Sequence, residues 1–193
     1  MERRATAATK AGLARGARAG LLLAGVVLAG CGGTPEPEPN PLGPPPPDSA
    51  QPTAVWAYLE GADYRRYWAP ESGQNPGIHR SRSGHGPLIQ TFVNRTADEA
   101  RPLGKEPLPT GSVLVLENHT TEPHLHAIDV MAKIAGHNPD TNNWAFLRFA
   151  PTGKVKVSDA EARRAAREEH RGCIHCHSRT AETDFLYKPR LER

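Results

Sequence analysis

One stretch of the chain, residues 111–134, reads GSVLVLENHTTEPHLHAIDVMAKI. Within it, two runs rich in apolar and β-branched residues, Ser112–Asn118 and Leu125–Ile134, flank the polar residues Thr120–Pro123. Runs of this length separated by a few turn-forming residues are typical of neighbouring antiparallel strands. The stretch therefore predicts two antiparallel strands joined by a short turn.

The predicted sheet extends to both sides of this stretch. The alternation in Leu88–Val93 predicts an earlier strand, and Trp144–Phe149 predicts a later one, after a turn at Asn138-Pro139-Asp140. Three of the four strands are joined by short connections, which indicates an antiparallel meander.

Helices are predicted before and after the sheet. Apolar residues recur at helical spacing over Ala54–Trp68, and Ser158 with Glu161 forms a Ser-x-x-Glu capping signature ahead of an alanine-rich segment. Gly172 is placed as the C-terminal cap of that second helix. We expect an α+β fold, mainly an antiparallel β-sheet meander flanked by an N-terminal helix and by a C-terminal helix that leads into a cysteine motif.

The cysteine motif is Cys173-Ile-His-Cys176-His177, a C-x-x-C-H pattern typical of covalent c-type haem attachment. Two thiols at this spacing reach the two vinyl groups on one edge of a porphyrin, and the histidine that follows reaches the iron as an axial ligand. The motif predicts one covalent haem c, bound through Cys173 and Cys176, with His177 as the proximal ligand.

A C-x-x-C pair also occurs in other kinds of site. A redox dithiol is expected next to a βαβ unit, which this sequence lacks. A zinc site needs further ligands, no second cysteine pair exists, and the third cysteine, Cys31, has another predicted role. A disulfide across two intervening residues closes too short a loop to stabilise a domain much.

The third cysteine follows a predicted export signal. Basic residues precede a nine-residue apolar run, Leu21–Ala29, which is too short to cross a hydrocarbon core of about 30 Å as a helix. Leu28-Ala29-Gly30-Cys31 resembles the lipobox of bacterial lipoproteins, so we expect a signal peptide over residues 1–30 and a lipid on Cys31. The expected location is the periplasmic side of a bacterial membrane, and Gly32 after the cysteine favours the outer membrane.

A proline-rich linker follows over residues 31–53. It carries nine prolines, which disfavour helix and sheet, so we expect an extended spacer ahead of a globular domain over residues 54–193. Residues 1–30 hold five of the 24 basic residues and one of the 21 acids, which leaves the remaining chain a formal charge of about −1. No nucleic-acid partner is expected.

The globular domain resembles the cytochrome P-460 and cytochrome c′-β family. The matching segments occur in the family's order across most of residues 54–188. They are Tyr64–Trp68, Gly84–Asn94, Gly111–Asn118, Val130–Lys133, Asn143–Phe146, Gly172–His177 and Thr183–Phe185. The resemblance implies a mostly antiparallel β fold, a homodimer, and a haem near the C-terminus beside a distal pocket lined by sheet residues.

One position departs from the family's pattern. The resemblance implies that hydroxylamine-oxidising members cross-link a lysine to the haem from a Gly-x-Val-x-Val-Lys-Glu strand, and here that position is Leu116, followed by Glu117. Lys105-Glu106 is a nearby pair, but it lies among prolines before the strand. Since leucine cannot form that bond, the sequence argues against the cross-link and against hydroxylamine oxidation.

The third predicted strand supplies two candidate site residues. Its alternation places Asp129, Met131 and Lys133 on one face and Ile128 and Val130 on the other. The resemblance aligns Asp129 with an acidic pocket residue that transfers protons, which implies a catalytic role; a solvent-facing position is the alternative. Met131 is a candidate sixth iron ligand or a core side chain.

Apolar residues on the other strands are candidates for the distal pocket. They are Phe92, Leu114 and Leu116, with an ordinary core position as the alternative for each. A dry, apolar pocket admits small uncharged ligands such as nitric oxide. Of the histidines, three flank the second turn, at positions 119, 124 and 126, and we expect them to be exposed turn and edge residues, with iron or metal coordination as the alternative.

Three functions fit these observations. The first is a tethered mono-haem c-type cytochrome that binds a gas such as nitric oxide on an open distal face. The second is a haem oxidoreductase acting on hydroxylamine or nitric oxide, with Asp129 as proton acceptor. The third is a simple electron-transfer cytochrome with Met131 as sixth ligand. The expected partners are a small gaseous or nitrogenous ligand, a redox protein, the membrane through the lipid, and a second copy of the chain.

Overall fold

The strands form one antiparallel meander in which each strand pairs with the next along the chain. In the described residues of the computed structural model these strands are β1 (His79–Arg80), β2 (Leu88–Val93), β3 (Val113–His119), β4 (Leu125–Lys133), β5 (Trp144–Phe149) and β6 (Val155–Val157). The prediction of an α+β fold with a mainly antiparallel sheet is confirmed. The short strands β1 and β6 were not predicted because two or three residues show no alternation.

The structure describes residues 43–71, 77–101 and 107–187. The predicted signal peptide, the predicted lipid attachment at Cys31, most of the predicted linker and Lys105-Glu106 lie outside these residues. In the described ranges, no helix is long and apolar enough to cross a membrane.

The helices lie before, within and after the sheet in sequence. They are α1 (Pro52–Ala62), α2 (Tyr64–Tyr67), α3 (Arg95–Ala100), α4 (Asp159–Glu168) and α5 (Gly172–His177), with 3-10 turns at Pro139–Thr141 and Ser178–Thr183. The sequence predicted a single helix over Ala54–Trp68, but the chain breaks it at Asp63, whose φ of +42° is left-handed. The Ser158–Glu161 capping box is present at the start of α4.

Gly172 was predicted to cap α4, and this is wrong. Helix α4 ends at Glu168, and His170 takes a left-handed φ of +48° two residues later. Gly172 instead opens α5 with a φ of +88°, a conformation that glycine adopts without steric cost. The cysteine motif therefore sits on a separate short helix.

One face of the sheet packs against α1. Side chains of α1 meet a fully apolar set from the central strands, which includes Val113, Val115, Ile128, Val130 and Leu147. Phe92 belongs to this core, with its ring centroid 5.3 Å from that of Tyr64. Each residue of this core is nearly or fully buried, so α1 covers this face of the sheet.

The other face packs against α4, α5 and the C-terminal turn. Its core contains Trp144, Phe146, Ala162, Ile174 and Phe185. Pairing between strands places Leu116 opposite Asp129, and Met131 between Leu114 and Phe146. This register agrees with the predicted alternation of β4, so the Asp129 side of the sheet is the side that carries the cysteine motif.

Asn94 is buried between β2 and β3 and caps α3, a helix that was not predicted. Its Oδ1 accepts from the backbone N–H groups of Ala97 and Val113, at 3.1 and 3.0 Å, and its Nδ2 donates to Tyr58 and to the carbonyl of Gly111. An asparagine directly after a strand is a helix-start signal, and here it also joins β2 to β3.

We predict that Asn94→Ala lowers the free energy of unfolding by about 3 kcal/mol, because it removes a helix cap and leaves buried backbone groups without partners. Denaturant unfolding measures the change. Glu99→Ala is the control, since it breaks only the exposed Arg95–Glu99 pair on the same helix and costs about 0.5 kcal/mol. Equal losses for both variants would contradict the prediction.

Candidate haem-attachment site

Helix α5 carries both cysteines of the C-x-x-C-H motif. Cys173 is half-buried against the second core, Cys176 is exposed, and both are free thiols. Burial raises the pKa of the Cys173 thiol, and the negative charge of Asp129 raises it further. Catalytic C-x-x-C pairs lower this pKa to expose a thiolate, so the environment of Cys173 does not match a redox dithiol.

His177 ends α5 with one ring nitrogen fixed. Its Nδ1 lies 2.7 Å from the carbonyl oxygen of Phe185. A carbonyl only accepts hydrogen bonds, so Nδ1 carries the proton and Nε2 keeps its lone pair. Burial lowers the pKa of His177, and this hydrogen bond opposes the effect only in part. The lowered pKa favours the neutral ring. A histidine that donates from Nδ1 to a carbonyl and offers Nε2 has the arrangement usual for a metal ligand.

The Phe185 carbonyl is positioned by a strained turn. Asp184 and Phe185 both have left-handed backbone conformations, with φ of +59° and +63°. Non-glycine residues rarely adopt this conformation unless their surroundings impose it. The indole of Trp144 donates to the carbonyl oxygen of Asp184 at 2.9 Å and holds the turn against β5.

The Asp184 carboxylate fixes the same turn to the sheet. Its two oxygens accept from Lys133 Nζ at 2.6 and 2.8 Å, from Asn142 Nδ2, and from the Leu108 backbone N–H at 2.7 Å. The Asp184 side chain is 1% exposed and that of Lys133 is 6% exposed. The prediction that Lys133 shares a face with Asp129 is thus correct. Its side chain anchors the turn whose Phe185 carbonyl accepts from His177.

A second polar cluster lies on the same face of the sheet around Asp129. Arg148 donates to both carboxylate oxygens, at 2.5 and 2.7 Å, and Asn118 Nδ2 donates at 3.0 Å. His85 Nδ1 lies 2.6 Å from Asp129 Oδ2. Burial alone would raise the pKa of Asp129, but the hydrogen bonds and charges of Arg148 and His85 outweigh it and lower that pKa well below the usual range.

The two clusters meet at the histidines. The ring centroids of His85 and His177 are 6.1 Å apart, with an interplanar angle of 72°. The rings of Phe146 and Tyr187 also surround His177, at 5.3 and 5.4 Å. No local sequence pattern assigns a role to His85; the one available signal is its place in the resembling segment Gly84–Asn94.

Apolar side chains on this face remain incompletely covered. Leu114, Leu116 and Met131 are only half-buried, whereas their neighbours on the α1 face are fully buried. A flat apolar group would cover them. Two thiols at the motif spacing, a histidine with a free Nε2 and this uncovered apolar patch together fit a covalently attached porphyrin. Within the described ranges, no group of three or more His, Cys, Asp or Glu is arranged to hold a bare metal ion.

Two predictions on individual residues are corrected. Phe92 lies in the α1 core, on the opposite face from the motif, because its neighbours Thr91 and Val93 take the motif face at that point of β2. His119 was expected to be exposed, but it is 6% exposed and its Nε2 lies 3.2 Å from Glu117 Oε2. Residues 124 and 126 are exposed, as expected.

We predict that Asp184→Asn lowers the free energy of unfolding by about 3–5 kcal/mol, because it leaves the charge of Lys133 buried without its partner. Adding Lys133→Met to Asp184→Asn should restore part of the lost free energy of unfolding, because it removes the unpaired buried charge. Glu182→Gln, an exposed change in the same segment, is the matched control and should have little effect. Denaturant unfolding of the four proteins provides the measurement, and a loss below 1 kcal/mol for Asp184→Asn would contradict the anchoring role.

Comparison with known proteins agrees with the geometry. The family model for cytochrome P460 matches residues 62–188, which include the strands, both polar clusters and the cysteine motif. A search of curated proteins found no match. The match spans more than half of the 193 residues, so this chain belongs to the cytochrome P460 family and is a haem-binding cytochrome.

Proposed function

We propose that this protein is a membrane-tethered c-type cytochrome that binds a small gas, such as nitric oxide, at a single haem. Cys173 and Cys176 would hold the haem covalently, and His177 Nε2 would bind its iron. One observation carries the proposal. Two free thiols and a histidine whose Nδ1 is already bound lie together on one short helix, beside a sheet face whose apolar side chains are only half-buried. When bound, the haem supplies an iron that takes a diatomic ligand or an electron.

The chain's own residues shape the proposed gas site. Leu114, Leu116 and Met131 present apolar surface on the motif face, which favours an uncharged ligand over water. Asp129 lies at the edge of this patch, opposite Leu116. Its charge is paired with that of Arg148 and it also hydrogen-bonds His85, so the polar cluster does not place an unpaired carboxylate next to the ligand.

Oxidation of hydroxylamine or nitric oxide is the less favoured alternative. Asp129 as a proton acceptor would need an available carboxylate, but both of its oxygens are occupied by Arg148 and its pKa lies below the usual range. Such a carboxylate is a weak base at neutral pH. Leu116 also lacks the lysine that the family resemblance ties to hydroxylamine oxidation.

Simple electron transfer with Met131 as the sixth ligand is the second alternative. Met131 lies on the motif face, next to Leu114 and Phe146 across the strands. A methionine ligand would raise the reduction potential and close the iron to gases. It would also give a spectrum that changes in Met131→Ala, whereas our proposal expects that variant to keep the wild-type spectrum.

The setting of the site is also proposed. A lipid on Cys31 would tether the domain to the periplasmic side of a bacterial membrane, with the outer membrane favoured, through the proline-rich residues 32–53. A redox partner protein would supply electrons, and a homodimer is the proposed assembly. The segment between the lipid and the domain contains nine prolines, which supports an extended tether.

We predict that Cys173→Ser with Cys176→Ser abolishes covalent haem, because no thiol remains to form a thioether. Haem staining after denaturing electrophoresis measures this in protein exported by cells with the c-type maturation system. Cys31→Ser is the control: it should keep the stain but move the protein from the membrane to the soluble fraction. Retained stain in the double variant would contradict the proposed attachment.

We predict that the reduced holoprotein binds nitric oxide and carbon monoxide, and that Leu116→Asp weakens both by at least about tenfold because it places a charge in apolar surroundings. Absorption titration measures the dissociation constants. Leu125→Asp, at a partly buried position away from the motif, controls for general destabilisation. A reduced holoprotein that binds neither gas at any concentration would exclude the proposed function.

A further inference from the structure

His85 is held over the motif face by a defined loop. The loop between β1 and β2 closes with a hydrogen bond from the Ser81 N–H to the Pro87 carbonyl at 2.9 Å, and the His85 N–H donates to Ser83 Oγ at 3.3 Å. Gly86 follows with a φ of +145°, which side-chain-bearing residues rarely adopt, so the chain can turn directly after His85. The His85 side chain is 25% exposed and therefore mostly enclosed.

The ring of His85 is held through the same nitrogen, Nδ1, as the ring of His177. Its Nδ1 lies 2.6 Å from Asp129 Oδ2, and because Arg148 keeps that carboxylate ionised, Nδ1 is the donor. With Nδ1 as the donor, Nε2 is the ring nitrogen left to bind a metal. A histidine held by a carboxylate through one nitrogen and free at the other is the usual form of a metal-binding imidazole.

The separation of the two rings matches a shared metal ion. Imidazole nitrogens bind transition metals at about 2 Å, so two imidazoles on opposite sides of one ion have ring centres roughly 6 Å apart. The His85 and His177 centroids are 6.1 Å apart. The His170 and His175 centroids lie a similar 6.3 Å apart, so the separation alone does not single out one pair. His85 and His177 are distinguished because each is held through Nδ1, by Asp129 and by the Phe185 carbonyl.

We propose that His85 is the sixth ligand of the haem iron, and that a gas must displace it to bind. This inference rests on the proposed haem at His177, and it replaces the expected open distal face with a position that His85 closes reversibly. Asp129 acts as a positioning residue: it orients the His85 ring, and Arg148 and Asn118 hold Asp129 in turn.

The displacement of His85 sets the apparent affinity of the iron for a gas. If His85 occupies the iron in about nine molecules of ten, the apparent affinity for carbon monoxide falls roughly tenfold below that of the vacant site. His85→Ala should therefore bind carbon monoxide about tenfold more tightly than the wild type. A gas that displaced His85 would form its bond to the iron as the imidazole bond breaks, and the oxidation state of the iron would be unchanged.

The test compares absorption and electron paramagnetic resonance spectra of the full-length oxidised holoprotein and its variants. The wild type should be six-coordinate and low-spin, and His85→Ala should be high-spin. Added imidazole should restore the low-spin spectrum of His85→Ala, which shows that loss of the His85 imidazole accounts for the change. His85→Met should stay low-spin with a raised reduction potential. His124→Ala, at an exposed histidine, is the matched control and should resemble the wild type.

Each other outcome overturns the inference. A wild type that is high-spin and binds nitric oxide would contradict the role of His85 but leave the proposed function intact. A low-spin spectrum that survives in His85→Ala and disappears in Met131→Ala would assign the sixth position to Met131. A holoprotein without covalent haem would overturn both proposals.

Asp129→Asn tests the positioning role separately. The amide still accepts from His85 but carries no charge, so the ring should bind the iron less completely. We expect a mixture of low-spin and high-spin spectra and a gas affinity between those of the wild type and His85→Ala. A spectrum identical to that of the wild type would show that Asp129 does not orient His85.

Discussion

The buried ion pair between Lys133 and Asp184 holds the C-terminal segment against the sheet. Lys133 comes from the end of β4, and Asp184 lies in the turn after the cysteine motif. That turn presents the Phe185 carbonyl to His177 Nδ1 and so fixes the ring's free nitrogen. A buried pair of this kind adds little net stability compared with apolar residues, but loss of one partner is costly. Its evident contribution here is to specify the orientation of one imidazole.

The two faces of the sheet differ in composition, because alternation along each strand sends successive side chains to opposite faces. The α1 face is a closed and mainly apolar core, at whose edge the buried Glu117 carboxylate is bound by Tyr64, Arg65 and His119. The motif face combines apolar side chains that are only half-buried with two networks of charged groups, around Asp184 and around Asp129. Charges on this face are paired, so a group placed between the networks would meet apolar surface and two oriented histidines.

Local signals in the sequence predicted most of the sheet and the attachment motif, because alternation and C-x-x-C-H spacing are properties of neighbouring residues. The same alternation correctly put Asp129, Met131 and Lys133 on one face. It could not say which face of β2 meets the motif, so Phe92 was assigned to the wrong side. His85, one partner of Asp129, is 44 residues away in the chain, and Asp184, the partner of Lys133, is 51 residues away; pairs at such separations leave no local pattern. His85 was missed for this reason.

The mass of the intact exported protein measures the chemical state of Cys173 and Cys176 without assumptions about ligands. Electrospray mass spectrometry under denaturing conditions separates a covalent haem from one that is merely bound. The structure and the motif predict a polypeptide mass increased by one haem group, with both thiols consumed. The unmodified polypeptide mass, or a mass lower by the two hydrogens lost in a Cys173–Cys176 disulfide, would contradict the account.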